Sequence, residues 1–137
     1  MALDGGGGGG GPLGFANSFT GTAQALEITG NRIYGYSGVT AVDNNETNLI
    51  DYTTGNFVSV LRIQFNYTTD SGDNFTYFVR LADTIVQQFN VGQSVEGPYR
   101  QLSIIVPAYT NIKCSAANIT GSTERNQVCG VTGRIYR

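Results

Sequence analysis

The side chains able to do chemistry are few here, and their types exclude more than they permit. The sequence holds no histidine, which removes the commonest general base and with it the Ser-His and Cys-His nucleophile arrangements. Two cysteines, Cys114 and Cys129, cannot complete the usual tetrahedral zinc set without histidine. Paired carboxylates are the remaining catalytic route. Of the ten acids, most fall in turn-like stretches such as Asp43, Asp70 and Asp73, where aspartate is favoured for local hydrogen bonding. Glu27 and Asp51 lie within strand-like stretches and could be buried, but nothing in the sequence brings them together. Asp70 and Asp73 could hold calcium as loop ligands, although their spacing lacks the EF-hand pattern, and solvated turn residues are the alternative. No nucleotide, flavin or zinc motif is present. The expectation is a protein that is not an enzyme, with no catalytic residues, no cofactor and no metal.

The thiols and the aromatic rings each allow two readings. Folding the chain back about Gly121-Ser122 sets Cys114 opposite Cys129 on neighbouring antiparallel strands. A cross-strand disulfide formed in an oxidising medium would satisfy that placement, and so would two small buried thiols packing as hydrophobes. Nothing else in the sequence marks an oxidising compartment. Eight Tyr and seven Phe could form a stacking platform for sugars. Trp, the strongest sugar-stacking residue, is absent, and most rings occupy strand positions that a core or an interface would use.

These groups must be positioned by β-strands. From Ala23 onward the apolar residues recur with period 2. Ala23 to Thr29 and Arg32 to Tyr36 read as strands around a Gly30-Asn31 turn, followed by a polar loop over 37–48. Leu61, Ile63, Phe65 and Tyr67 alternate with polar residues, as do Phe75, Tyr77, Val79 and Leu81 after the loop at Asp70 to Asn74. The pair reads as a long hairpin with one buried face. Thr84 to Val91 reads as a strand, because its β-branched residues disfavour the short helical turn it could otherwise form. Leu102 to Val106, Asn111 to Ala117 and Gln127 to Tyr136 complete the set. On the last two, Ile112, Cys114 and Ala116, and Cys129, Val131, Gly133 and Ile135, share one face. About eight short strands with Gly and Asn turns and no helix predict an all-β, jelly-roll-like antiparallel β-sandwich over residues 21–137.

Residues 1–20 differ. Gly5 to Gly11 is an unbroken glycine run followed by Pro12-Leu13-Gly14-Phe15. Polyglycine has the largest backbone entropy to lose and nothing to bury. The segment reads either as a flexible tail or as an extended arm that orders along a partner, with Leu13 and Phe15 as its apolar anchors.

Charge and composition narrow the partners. Charged residues make up only 13% of the chain and the net charge is −2. A polar but largely uncharged surface is cheaper to desolvate against protein than one rich in Lys and Glu. The one lysine, Lys113, and the scattered arginines make no basic patch, so neither nucleic acid nor an anionic membrane surface is an expected partner. No run approaches the 18 or so apolar residues of a membrane span, and Met1-Ala-Leu-Asp-Gly lacks the basic and apolar regions of a secretory signal. The sequons at Asn45, Asn66, Asn74 and Asn118 are then expected to be chance matches in an Asn- and Thr-rich chain.

Leu49-Ile50-Asp51-Tyr52-Thr53-Thr54-Gly55-Asn56 before the alternating stretches, Leu102-Ser103-Ile104-Ile105-Val106-Pro107-Ala108-Tyr109-Thr110-Asn111-Ile112-Lys113-Cys114, and the closing Val131-Thr132-Gly133-Arg134-Ile135-Tyr136 together resemble small jelly-roll decoration, or cement, proteins of tailed phages and marine viruses. The resemblance spans residues 24–137 and is one of style and strand order rather than of a signature motif. It implies a virion structural protein on the capsid surface, assembled in a host cytoplasm as a homotrimer and bound to the major capsid protein, with residues 1–20 as the docking arm. The alternative from another class is a carbohydrate- or receptor-binding module of a tail or head fibre.

Overall fold

A computed structural model describes residues 22, 25–67, 73–91 and 99–137. The arm at residues 1–20, with Leu13 and Phe15, and the loop acid Asp70 lie outside these residues. Among the described residues ten strands form two antiparallel sheets: β1 (Glu27–Thr29), β2 (Arg32–Tyr36), β3 (Thr40–Val42), β4 (Thr47–Thr53), β5 (Val58–Tyr67), β6 (Phe75–Leu81), β7 (Thr84–Val91), β8 (Tyr99–Val106), β9 (Asn111–Asn118) and β10 (Arg125–Tyr136). The larger sheet runs β1-β2-β10-β5-β8, with β3 also paired to β10, and the smaller runs β4-β9-β6-β7. Among the described residues there is no helix, and so none long and apolar enough to cross a membrane. The all-β sandwich expected from the period-2 pattern is the fold observed.

Two strands lie outside the eight or so read from the alternation, one of them around Asp51, already placed in a strand-like stretch, and both break the alternation that reveals strands. The stretch read as a polar loop contains β3, three residues paired with Arg125, Asn126 and Gln127, of which only Val42 is fully buried. Three residues are too few for a period to show. In β4 the register shifts between Asn48 and Ile50, so that Leu49 and Ile50 are both buried in succession. A β-bulge inserts one residue and turns two neighbours toward the same side.

The expected hairpin of β5 with β6 is not formed. The two strands lie in opposite sheets: β5 pairs with β10 and β8, and β6 with β9 and β7. One buried face gives the same alternation whether two strands are laterally paired or face each other across a sandwich. Phe65 and Tyr77 therefore meet through the core, with ring centroids 4.8 Å apart, and Phe89 joins them at 5.7 Å from Phe65 and 5.3 Å from Tyr77. Contacts of this kind add about 0.5–1.5 kcal/mol each beyond their area. β6-β7 does form a tight hairpin, whose turn residues Ala82 and Asp83 have φ of 50° and 66°. Positive φ at both central positions matches the right-handed twist of the strands they join.

The placement of the cysteines is corrected for the same reason. β9 and β10 are in different sheets, so Cys114 and Cys129 are not cross-strand neighbours. They face each other through the core, both free and fully buried. β10 is the spine of the larger sheet. Ten of its residues register with β5, from Gln127 opposite Tyr67 to Tyr136 opposite Val58, while its other edge takes β2 and β3. Its inward residues Cys129, Val131 and Ile135 pack with Leu61, Ile63 and Phe65 of β5 against Tyr77, Val79, Ile112 and Cys114 of the smaller sheet.

Candidate functional site: an arginine and tyrosine face

The acids considered for catalysis are engaged elsewhere. Glu46 accepts hydrogen bonds from Arg80 and Ser115, Asp73 pairs with Arg125, and Asp83 with Lys113 at 3.0 Å. Asp51 accepts from the Asn111 side chain at 3.0 Å. Burial alone would raise the Glu46 carboxyl, but the Ser115 hydroxyl and the Arg80 guanidinium outweigh it and hold the group below the ordinary glutamate range. Glu27 and Asp51 stand on different sheets, in β1 and β4. Among the described residues no three His, Cys, Asp or Glu side chains cluster to hold a metal. Burial, and then the neighbouring Cys114, push the Cys129 thiol well above its usual range, which leaves it a poor nucleophile. Of the sequons, Asn118 is buried, with its side chain donating to the Thr123 carbonyl and accepting from the Thr120 amide, so it presents no free acceptor for a glycan.

The outer face of the larger sheet is different. Because β10 lies between β2 and β5, three strands distant in sequence set their off-core residues side by side. One cross-strand row reads Tyr34, Thr132, Arg62 and Ser103, and the next reads Arg32, Arg134, Val60 and Ile105. Directly opposite side chains point to the same face and lie about 4.5–5.5 Å apart at Cβ. Arg32 and Arg134 are such a pair, and Arg62 is one row away on the far side of β10. Among the described residues, none of these three guanidinium groups has an ion-pair partner. One acid, Glu27, reaches this face, opposite Tyr34 at the margin.

Tyrosines wall the arginines. Tyr34 and Tyr36 lie with ring centroids 6.3 Å apart, and Tyr136 closes the other end, half exposed. The floor is low where β10 presents Gly130 to this face. A Cβ on Gly130 would approach the Tyr36 ring to 3.1 Å, so the ring lies down over a bare backbone. A Cβ on Gly133 would run into the Val60 carbonyl oxygen and stand 3.0 Å from the Leu61 Cα, so only glycine lets β10 sit this close to β5. The result is an open cleft of about 600 Å³, lined by the three arginines and the three tyrosines with Thr132 and Val60. That is within the range of small-molecule sites.

The smaller sheet offers a contrast. Arg80 there is held by Glu46 and lies 5.0 Å above the Phe78 ring, and Lys113 is held by Asp83. Its cations are spent within the fold, while Arg32, Arg62 and Arg134 of the larger sheet are turned outward. The cleft can bind anions through its arginines and stack flat rings on its tyrosines. The sequence reading treated the arginines as scattered and missed the site. The signal lay in the phase: Arg32, Tyr34 and Tyr36, Arg62, and Arg134 and Tyr136 all occupy off-core positions of their strands. Compared with models of protein families and with curated protein sequences, the chain matches none.

Proposed function

We propose that this protein is a virion structural protein, a decoration or cement protein that binds the major capsid protein and stabilises the shell. The observation that carries the reading is the strand order. One sheet holds β2, β10, β5 and β8 in that order and the other β4, β9, β6 and β7. Except for the β6-β7 hairpin, each link from β4 to β10 passes from one sheet to the other. We read this as a jelly roll of two interleaved Greek keys, an architecture shared by viral capsid and lectin domains. The outward Tyr and Arg residues support a binding role, since those residue types are enriched in protein interfaces and in their energetic hot spots.

In this reading the protein is a homotrimer assembled in a host cytoplasm, and residues 1–20 dock on the capsid through Leu13 and Phe15. Many contacts of standard size, about 1,600 Å² each, would reinforce a shell without very tight individual binding. The test is co-sedimentation with shells of the encoding virus, using the full chain and a chain lacking residues 2–15, together with light scattering of each. Shell binding by a trimer, lost on removing the arm while the fold persists, is expected. A full chain that ignores the shell overturns the proposal.

The cleft favours a second reading, a carbohydrate- or receptor-binding module of a tail or head fibre. Saturable glycan binding by the isolated chain, with no affinity for capsid, would select it.

A further inference from the structure

The outer face of the larger sheet carries an arrangement that folding alone does not explain. Arg32 and Arg134 are directly opposed on β2 and β10. Like charges in register destabilise a strand pair, and among the described residues no acid sits between them or beside Arg62. A bound anion would relieve that repulsion. Two adjacent guanidinium groups offer a carboxylate or sulfate several parallel N–H donors, a geometry lysine could not supply.

We infer that the cleft between Arg32, Arg62 and Arg134 and the Tyr34, Tyr36 and Tyr136 rings binds an acidic oligosaccharide, one bearing carboxylate or sulfate groups. This deepens the glycan-binding reading and rests on it. Three features select a sugar over an acidic peptide. β2, β10 and β5 are hydrogen-bonded along the cleft on both sides of β10, so the floor has no free backbone edge for an extended peptide to pair with. The rings of Tyr34, Tyr36 and Tyr136 supply flat apolar faces beside polar tips. Gly130 keeps the floor open enough for a pyranose to rest against backbone and the Thr132 hydroxyl. The charge spacing also fits a repeating ligand: Arg134 and Arg62 lie on successive outward rows of the sheet, about 7 Å apart along the strands.

The experiment is isothermal titration of the full chain with trigalacturonate, a sulfated heparin tetrasaccharide, neutral cellotriose and a short polyglutamate peptide, repeated with Arg62→Gln and Arg134→Gln. Binding of the uronate or the sulfated probe, at least tenfold tighter than cellotriose, is expected, and the probe that binds identifies the acid group. Each substitution should weaken it about tenfold or more, the usual range for a hydrogen bond to a charged group. Arg134→Gln should leave the melting temperature unchanged or raise it, because it also removes the like-charge pair; that readout separates a lost ligand contact from a damaged fold. Equal binding of cellotriose would overturn the charge inference and leave the glycan reading standing. No binding of any sugar would sink both. Polyglutamate binding as tightly as the acidic sugars would assign the face to a protein segment and overturn the proposal.

Discussion

Replacing Tyr77 by Phe should cost more stability than the loss of one oxygen atom suggests. Tyr77 is fully buried, and its hydroxyl donates to Gln127 Oε1 at 2.6 Å across the core. Gln127 is fully buried too, and among the described residues its Nε2 has no partner of its own. A single buried hydrogen bond contributes about 1 kcal/mol net, but a partner left without one costs a further 1–3 kcal/mol or so. In Tyr77→Phe the whole Gln127 amide is stranded, so we expect a loss of about 2–3 kcal/mol. The companion change reverses the argument. Tyr77→Phe with Gln127→Leu removes both polar groups and the orphaned amide, and should recover most of that loss. Equilibrium urea unfolding of the wild type, both single variants and the double variant forms a complete cycle. A Tyr77→Phe variant as stable as wild type would refute the reasoning, because it would mean that Gln127 finds water or another partner. A double variant no better than the worse single variant would refute it equally, by placing the stability in ring and side-chain packing.

Gly133→Ala should destabilise by about 1–3 kcal/mol in the same unfolding assay, the usual range for an overpacked core, because the atom it meets is the Val60 backbone carbonyl. Ala82→Asn should stabilise by several tenths of a kcal/mol, roughly, since Ala82 adopts φ 50° and asparagine tolerates that region better; a lower melting temperature would contradict it. The Glu46 carboxyl is held below its ordinary range in the fold, so its contribution is present above the unfolded-state value and is lost as pH falls through the folded one. Glu46→Gln should therefore flatten the acid limb of the stability profile below about pH 4.3, and an unchanged limb would show that other carboxylates set it. Both thiols are buried, so a thiol-specific disulfide reagent at neutral pH should label them slowly in the native state and rapidly in urea; fast native labelling would contradict the placement.

The sequence disclosed strands well where one side of a strand is apolar over several residues. Ile112, Cys114 and Ala116, and Cys129, Val131 and Ile135, are buried together as their alternation predicts. What alternation does not encode is which strand lies beside which. The same residues in β5 and β6 serve a hairpin or two facing sheets, and the distinction rests on long-range packing such as Phe65 against Tyr77. The cysteine placement failed for that reason, and so did the search for a basic patch. Arg32, Arg62 and Arg134 become neighbours only once β10 is inserted between β2 and β5. The bulge at Asn48 to Ile50 and the three-residue β3 were hidden for a local reason, because each is shorter than the repeat that would reveal it.

The position of β10 also bears on biogenesis. β2 and β5 flank it and are joined into one sheet only through it, so the strands at residues 32–36 and 58–67 must wait for residues 125–136 to be synthesised before either is paired on that edge. Until then the growing chain carries two open strand edges and an incomplete core, the state most prone to pairing with a neighbouring chain. Pairings of such wide sequence separation also close slowly, in milliseconds to seconds for all-β domains. Completion of the larger sheet thus waits on the synthesis of β10, and a chain cut before it lacks the strand that joins β2 to β5.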